Sequence, residues 1–392
     1  MSARGSPFLD PRDLVAAWLE RLPRTPGGYA ETLGPDWAEV GAGERTMLCQ
    51  SRLAYVFVHA GLLGDSRSAA EGVAAIDAIQ RHFWRPEARG WLRAIDAGGR
   101  PIDDRIESYD QAFGLLALAW AYRATGDGAL RAKALEALAG LDAAALADGI
   151  SSALDYEGFP EWRRAAPSRN PASIRQPSPR RQNPHMHLLE AFLAWHAADP
   201  EGPWLQRAAS IVHLAKRRFI QADGSLCEHF DETLEPAPGG AGRQREPGHH
   251  FEWVWLLRRW EEASGDKGAL EAAATLYRLA CDRGRDADGL AFDLVEPDGK
   301  VIADTKLLWP QTEMIKAHAA WFEWTGDAEA KSAALASLDI LGKSYMRPDG
   351  KLYYNQLGRD RTPLPVATLS RVLYHLFLAL VEAKRVFALP SA

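Results

Sequence analysis

The sequence predicts an all-α fold, an (α/α)6 barrel in which six helical hairpins form an inner and an outer ring, with short β-hairpins in the loops at one end. Three observations predict it: apolar residues recur at helical spacing in twelve segments, two kinds of short joint connect these segments, and the first helices of successive pairs begin at a regular spacing. An open solenoid is the rival architecture, but it needs polar capping repeats, and the last segment is apolar at Leu376, Phe377 and Leu378.

The twelve segments follow one another along the whole chain. They cover residues 11–22, 44–63, 66–83, 108–125, 128–144, 183–198, 203–219, 248–264, 267–283, 309–325, 328–345 and 364–387. In the eighth, for example, Trp253, Leu256, Leu257 and Trp260 fall on one helical face. The inner helices are expected to begin near residues 44, 108, 183, 248, 309 and 364, a period of roughly 55–75 residues. We therefore expect one catalytic domain over residues 1–392.

The joints between segments are of two kinds. Gly126-Asp127, Gly265-Asp266 and Gly326-Asp327 each place a glycine at a helix C-terminus and an aspartate as the next N-cap, which makes the two helices antiparallel neighbours. After the second helix of a pair come Asp223-Gly224, Asp288-Gly289 and Asp349-Gly350, flanked by apolar residues. Asp-Gly in that setting predicts a tight hairpin turn.

Composition excludes several classes of protein. Hydrophobic residues make up 47% and charged residues 25% of the chain, as in a globular protein with a full-sized core. The net charge of −6 provides no basic surface for nucleic acid. The chain has neither a membrane-spanning run nor the apolar segment of a signal peptide. Cys49, Cys227 and Cys281 lack metal spacing and indicate a reducing compartment. We expect a cytoplasmic monomer or homodimer.

Polar and aromatic residues concentrate where the inner helices begin. The set comprises Tyr109, Asp110 and Gln111; Asn183, His185 and His187; His249 and Glu252; and Trp309, Gln311 and Glu313. If all inner helices run the same way, these groups meet at one mouth of the barrel, where six helix N-termini favour a developing oxyanion. Tryptophans there suit the apolar faces of a sugar ring, and Asn, Arg, Glu and Gln suit its hydroxyls. Two long irregular stretches, 151–182 and 231–246, each precede an inner helix and are expected to be functional or disordered loops.

Several short motifs resemble those of the N-acylglucosamine 2-epimerase superfamily. They are Gln50-Ser51-Arg52, Tyr109-Asp110-Gln111-Ala112-Phe113, Asn183-Pro184-His185-Met186-His187, Pro247-Gly248-His249-His250-Phe251-Glu252-Trp253, Leu308-Trp309-Pro310-Gln311 and Tyr374-His375-Leu376-Phe377. They span about residues 44–380, in the family's order and one to each inner helix. The stretches around Asp103-Asp104 and Arg181-Gln182-Asn183 look most like the mannose isomerase branch.

The resemblance implies an (α/α)6 barrel that interconverts sugars without metal or redox cofactor. The family's acid–base histidines fall on His249 and His375. Its ligands for ring hydroxyls and for the reacting carbonyl region fall on Arg52, His187 and Glu252. Tyr109, Asn183 and Trp309 match substrate-lining positions.

The chemistry accounts for these residue types. Moving a carbonyl from C1 to C2 of a sugar removes a proton next to the carbonyl, and an imidazole can accept and return that proton near neutral pH. The enediolate between the two steps needs donors, a role for Arg52 or His187. One histidine suffices for an aldose–ketose isomerase, whereas a 2-epimerase must return the proton to the opposite face of C2. The residues permit both outcomes, and the branch resemblance favours a D-mannose/D-fructose isomerase.

Three other interpretations stay open from the residues. A glycoside hydrolase would need two opposed carboxylates, with Asp110 opposite Glu252 or Glu313. A helical ring could also be a non-catalytic protein-binding scaffold. A metal site would have to use His185, His187, His249 and His250. His185 is predicted to be structural because it faces away from His187, and His250 lies about 100° around the helix from His249.

Overall fold

The computed structural model describes residues 9–144, 162–164, 180–231 and 233–389. Its α-helices are α1 (Pro11–Arg21), α2 (Met47–Leu62), α3 (Ser66–His82), α4 (Ser108–Thr125), α5 (Gly128–Ala144), α6 (Asn183–Ala198), α7 (Trp204–Leu214), α8 (Pro247–Ser264), α9 (Ala269–Arg283), α10 (Leu308–Thr325), α11 (Ala328–Ile340) and α12 (Leu373–Phe387). Strands of two or three residues are Arg24–Thr25, Gly28–Tyr29, Thr32–Leu33, Arg45–Thr46, Trp84–Arg85, Gly90–Trp91, Ala94–Ile95, Pro101–Asp103, Arg105–Glu107, Trp162–Arg164, Arg180–Arg181, His229–Phe230, Leu294–Val295, Val301–Ala303, Lys306–Leu307, Gln356–Leu357 and Thr368–Leu369. Ala241–Arg243 and Ser370–Val372 are 3-10 turns.

The even-numbered helices form a closed inner ring. Each of α2, α4, α6, α8, α10 and α12 packs against the next, and α12 returns to α2. The helices α3, α5, α7, α9 and α11 pack outside the inner helix that precedes them, and α1 contacts α12, α2 and α3. The first helix of the chain therefore fills the sixth outer position. This confirms the barrel and rules out the open solenoid, because a solenoid does not bring its last helix back to its first.

Burial differs between the rings in the way the sequence requires. In α2 nearly every residue from Met47 to Ala60 is buried, as expected for a helix surrounded by others. In α3 only one face is buried, and it includes Gly72, Ile76 and Ile79. A Cβ on Gly72 would lie 2.7 Å from the Val58 backbone nitrogen, so glycine lets α3 approach α2 closely.

Both kinds of predicted joint are confirmed. Gly126, Gly265 and Gly326 end α4, α8 and α10 with φ of 71°, 75° and 71°, the left-handed conformation of a helix C-cap. Each following aspartate side chain accepts a hydrogen bond from the backbone N–H two residues on. Gly224, Gly289 and Gly350 also have positive φ, and antiparallel bridges flank them, as in tight hairpins.

Three helix boundaries differ from the sequence prediction. The last helix begins at Leu373 instead of residue 364, because Thr368–Leu369 pairs with Thr32–Leu33 and Pro365 cannot contribute an N–H to a helix. The segments 203–219 and 328–345 finish as π-helical turns, Ala215–Phe219 and Leu341–Tyr345. Of the predicted loop 151–182, only 162–164 and 180–182 lie within the described residues, and Trp162–Arg164 pairs with Arg105–Glu107. No described helix combines the length and apolarity needed to cross a bilayer.

Candidate active site

The six inner helices begin at the same end of the barrel and bring their first turns together. The predicted site residues found there are Arg52 on α2, Tyr109 on α4, Asn183 and His187 on α6, His249 and Glu252 on α8, Trp309 on α10, and His375 on α12. The Arg52 guanidinium lies 2.9 Å from the Tyr109 hydroxyl. The ring centroids of Tyr109 and His187 are 5.2 Å apart, and His187 Nδ1 lies 3.9 Å from a carboxyl oxygen of Glu252. A second chain of contacts joins His249, Trp309 and His375. The predicted convergence at one mouth is therefore what the fold produces.

Three histidines at this mouth are each anchored by a buried glutamate. In every pair Nδ1–H donates to the carboxylate: His249 to Glu228 at 2.9 Å, His187 to Glu190 at 3.1 Å, and His375 to Glu313 at 2.8 Å. The three Nε2 atoms make no hydrogen bond with another described residue. An anchored Nδ1 fixes the ring and leaves Nε2 as the nitrogen that can exchange a proton with a substrate.

His249 is surrounded by negative charge. Glu228 is itself held by the Gln182 side-chain amide at 2.9 Å, and the Glu246 carboxylate lies 3.6 Å from His249 Nδ1. Burial alone would lower the pKa of His249, but Glu228 and Glu246 outweigh it and raise the pKa to about 10. His249 is therefore an imidazolium at neutral pH.

His375 and His187 are in the opposite state. Burial, reinforced by the positive charges of Arg52 and Lys316, lowers the pKa of His375 well below its usual value. Burial also lowers the pKa of His187 to about 4, despite the Glu190 carboxylate. Both imidazoles are therefore neutral near pH 7, so the mouth holds one charged and two uncharged histidines.

Trp309 lies between the two predicted acid–base histidines. Its ring centroid is 4.9 Å from that of His249 and 5.7 Å from that of His375. Gly248 makes this possible, because a Cβ there would lie 2.5 Å from the Trp309 ring and 3.0 Å from Pro310 Cα. The absence of a side chain at Gly248 therefore lets the start of α8 approach the indole closely.

Arg52 is held by aromatic residues. Its guanidinium donates to the Tyr109 hydroxyl at 2.9 Å and lies 4.1 Å from the Phe113 ring and 4.9 Å from the Tyr374 ring. Its side chain has no carboxylate partner among the described residues. A desolvated cation in this setting is available to an oxyanion.

Glu252 and Asn183 present unsatisfied polar atoms. Both Glu252 carboxyl oxygens and Asn183 Oδ1 are buried without a hydrogen-bond partner among the described residues. Burial, with the charge of Glu313, raises the pKa of Glu252 well above its usual value. A neutral carboxyl group can both donate to and accept from a sugar hydroxyl, which suits the predicted substrate-binding role.

His185 and His250 have structural roles, because each bonds to the backbone. His185 Nδ1–H donates to the Arg181 carbonyl at 3.1 Å, as its predicted structural role requires. His250 Nδ1–H donates to the Glu246 carbonyl, and its Nε2 accepts from Leu226 N–H, both at 3.0 Å. The second bond ties α8 to the hairpin whose next residues lead to Glu228. The four-histidine metal cluster weighed from the sequence is thus not assembled.

Three other donor groups lie close enough together to be considered for a metal. They are His187 with Glu190 and Glu252, His249 with Glu228 and Glu246, and His375 with Glu252 and Glu313. In each, the histidine already donates a proton to one of the carboxylates. Beside Glu313, the Lys316 ammonium lies 2.6 Å from the carboxylate, in the position a cation would take. The donor atoms are thus engaged in hydrogen bonds within the protein and, at Glu313, in an ion pair with Lys316, and we assign no metal to them.

Sequence reasoning did not assign glutamate partners to the histidines, although Glu313 was among the polar residues expected at the mouth. Glu190, Glu313 and Lys316 lie one helical turn from other site residues, so helical spacing could have found them. Tyr374, whose hydroxyl donates to Glu190 at 2.5 Å, was part of a motif but was not assigned to the site. Glu228 lies in the connection before α8, and no local pattern marks it.

A separate cavity of about 1040 Å³ lies at the opposite end of the barrel. Residues near the C-terminal ends of the inner helices line it, among them Trp120, Arg123, Arg259 and Glu382. It shares Glu190 with the histidine cluster but contains none of the eight predicted site residues. The three anchored histidines lie at the other end of the barrel, at the N-terminal mouth.

A closed double ring of helices with histidines and carboxyl groups gathered at one mouth defines the class of α/α-barrel enzymes. Comparison with known sequences gives the family. The sequence model of N-acylglucosamine 2-epimerase (GlcNAc 2-epimerase) matches residues 28–379. The chain belongs to this family and is an isomerase or epimerase.

Relatives and solved structures agree with this assignment. A mannose-6-phosphate isomerase of Rhizobium meliloti (strain 1021) is 32% identical over 91% of this chain and 89% of its own length. A D-mannose isomerase of Thermobifida fusca is 30% identical over 85% of this chain and 81% of its own. The crystal structure of a D-mannose isomerase superposes with a TM-score of 0.83 at 19% identity, covering 95% of this chain and 96% of the other, which shows the shared fold.

Proposed function

We propose that this protein is an aldose–ketose isomerase that interconverts D-mannose and D-fructose through an enediolate. The observation that carries the proposal is that a protonated His249 and a neutral His375 lie beside the same indole, that of Trp309. An isomerase needs a neutral base for the C2 proton and an acid for the carbonyl oxygen, and these two histidines offer one of each.

The proposed proton transfers balance. His375 Nε2 takes the C2 proton of the open-chain sugar, which gives the enediolate, and His249 protonates its O1 to give the cis-enediol. His249 then recovers a proton from the O2 hydroxyl, and His375 returns its proton to C1, which gives the ketose. Arg52 stabilises the oxygen charge that develops, His187 Nε2 accepts a hydrogen bond from a sugar hydroxyl, and Glu252 binds another hydroxyl. Tyr109, Asn183 and Trp309 line the sugar.

The names of the two relatives suggest the substrate. One relative is named for D-mannose and the other for mannose 6-phosphate, so both sugars, with and without a phosphate at position 6, are tested as substrates. The test is proton and carbon NMR of each sugar incubated with the enzyme in D2O, without added metal or nucleotide. We expect the ketose to form, with some deuterium at the exchanging carbon. Absence of product from both sugars would overturn the proposal.

The second candidate is a sugar 2-epimerase. It is favoured by the presence of two histidines beside one indole, since protonation from the opposite face of C2 requires a second group. Glucose as the main early product from mannose in the same NMR experiment would identify this reaction and replace the isomerase proposal.

Contacts at the mouth speak against a glycoside hydrolase. Glu313 is engaged by His375 and Lys316, and Asp110 is fully buried with Arg93 at 3.4 Å. Neither is placed as one of two opposed carboxyl groups facing a glycosidic bond.

We further propose a cytoplasmic enzyme of one domain, monomeric or homodimeric, that works without a cofactor. The free thiols of Cys49, Cys227 and Cys281 suit a reducing compartment.

A further inference from the structure

The three histidine–glutamate pairs at the mouth differ in one respect. Glu228 also accepts from the Gln182 amide, and Glu190 from the Tyr374 hydroxyl, both uncharged donors. Glu313 instead has the Lys316 ammonium against it at 2.6 Å. Within the described part of the chain, it is the one paired glutamate that contacts a lysine or arginine.

Lys316 is wholly inside the protein. Its side chain and that of Glu313 are both 0% exposed, and its ammonium lies 4.1 Å above the Trp255 ring. Burying an ammonium group is costly unless it is paired. The carboxylates of Glu313 and Glu190 outweigh the effect of burial and raise the pKa of Lys316, so it remains charged.

We propose that Lys316 is a positioning residue that acts on His375 through Glu313, keeping Glu313 ionised so that His375 holds its proton on Nδ1 and offers an unprotonated Nε2 to the sugar. The inference rests on the proposed function for its role in catalysis. It goes beyond that function in assigning a residue that touches neither the sugar nor the reacting proton.

Counting protons shows why the lysine matters. With Lys316 present, the group Lys316⁺, Glu313⁻ and neutral His375 has no net charge. Without the lysine, the same buried neutrality requires the Glu313–His375 pair to take up one proton. If that proton resides on the ring, or on Glu313 Oε1 so that the carboxyl group donates to Nδ1, a hydrogen is left on Nε2. A proton on Glu313 Oε2, the oxygen that faces Lys316, would instead leave Nε2 free, and that outcome would refute the proposal. A protonated Nε2 cannot accept the substrate proton.

Other groups around His375 do not replace the lysine. The titratable groups around His375 are Arg52 on α2, Tyr109 on α4 (which contacts Arg52), His187 and Glu190 on α6, His249 and Glu252 on α8, Glu313 and Lys316 on α10, and Tyr374 on α12. Arg52 is the other nearby cation whose charge lowers the pKa of His375. It lies among Tyr109, Phe113 and Tyr374, and makes no ion pair with Glu313 in the described structure.

The pH dependence of kcat/KM tests the proposal in the sugar that the wild-type enzyme turns over. Lys316→Met and Lys316→Gln both remove the charge, and Gln keeps a donor toward Glu313. We expect the acid limb of the profile to move up by at least about one pH unit, a loss of about tenfold below the limb, with recovery at higher pH. Lys316→Arg keeps the charge and should keep the wild-type limb. A uniform loss at every pH, or no change, would overturn the proposal.

A second measurement does not depend on turnover. In the free enzyme, the ¹⁵N NMR signal of His375 Nε2, assigned by its absence in His375→Asn, should be of the unprotonated type in the wild type near neutral pH. In the Lys316→Gln variant it should become the protonated type. An unprotonated signal in both proteins would refute the role of Lys316 even if isomerisation is confirmed. Failure of the wild type to isomerise either sugar would refute the proposed function and leave this result standing.

Discussion

Glu228 accepts a hydrogen bond from His249 Nδ1 at 2.9 Å although the two residues lie 21 positions apart in the chain. Together with Glu246, this carboxylate makes His249 a buried imidazolium, with a pKa of about 10. His375, anchored in the same way on Glu313, stays neutral because burial, Arg52 and Lys316 act against its charged form. Two histidines with the same anchoring geometry thus differ in charge because a second carboxylate, Glu246, lies beside His249, whereas the cations Arg52 and Lys316 lie near His375.

Glu228→Gln tests the origin of the charge on His249. The variant keeps an oxygen that can accept from Nδ1–H but removes the negative charge, so the pKa of His249 should fall from about 10. If His249 acts as the acid, activity falls as pH rises through its pKa, and the basic limb of kcat/KM should move to lower pH. We expect about tenfold less activity near pH 9.

The measurement is the pH profile of the variant beside that of Glu329→Gln, an exposed residue of α11. The control should follow the wild type throughout. A basic limb that stays in place in Glu228→Gln would show that another group provides the acid.

Replacement of either predicted acid–base histidine should abolish turnover without unfolding the protein. Loss of a positioned acid or base typically costs about 10²–10⁴-fold in rate. We expect losses of this size in kcat for His249→Asn and for His375→Asn, with nearly unchanged thermal unfolding. His213→Asn, at an exposed position of α7, is the matched control. Near-normal turnover in either site variant would remove that histidine from the mechanism.

Gly248→Ala should displace the indole that lies between the two histidines. The new Cβ would lie 2.5 Å from the Trp309 ring and 3.0 Å from the backbone at Pro310, so the ring must move. We expect kcat/KM to fall by about tenfold or more, since small misplacements are costly in an active site, and stability to fall by about 1–3 kcal/mol.

Gly128→Ala is the control for this substitution. Gly128 also begins a helix, and a Cβ there would contact nothing within 4 Å. Its steady-state kinetics should be those of the wild type. If Gly248→Ala is equally silent, Trp309 is not held in place by the helix start.

Acid should destabilise the protein between pH 6.5 and pH 4. His185 and His250 are buried and neutral, and burial lowers the pKa of each to about 4. Between about pH 4 and the unfolded value of 6.5, the unfolded chain binds more protons than the folded one, so stability is lost as the pH falls. Each histidine should cost about 2 kcal/mol at pH 5 relative to pH 7.

Urea unfolding at the two pH values measures this loss. In His185→Asn, which keeps a donor toward the Arg181 carbonyl, the loss should be about 2 kcal/mol smaller than in the wild type. An unchanged pH dependence in this variant would show that folding does not lower the pKa of His185, which would then become an imidazolium in the folded state as readily as in the unfolded chain.

Much of the fold was predictable from the sequence because its signals are local. Periodic apolar residues predicted the twelve helices, and glycine followed by aspartate predicted the antiparallel joints at Gly126, Gly265 and Gly326. The predicted start of α12 was wrong because pairing with a distant strand, Thr32–Leu33, keeps Thr368–Leu369 extended. The secondary-structure propensity of a segment does not predict its pairing with a strand that is distant in the sequence.

The order of residues was enough to predict which chemical groups lie at the starts of the inner helices, because all of them except His375 follow closely on a correctly predicted helix start. The charges of these groups could not be predicted in this way, because they depend on the folded structure. Closing the ring of α12 onto α2 buries His249 and His375 alike. Burial makes the pKa of each depend on the few charges within a few ångströms, and those charges come from other helices and from the connection that carries Glu228. Proximity in space is the property that a linear order of residues does not contain.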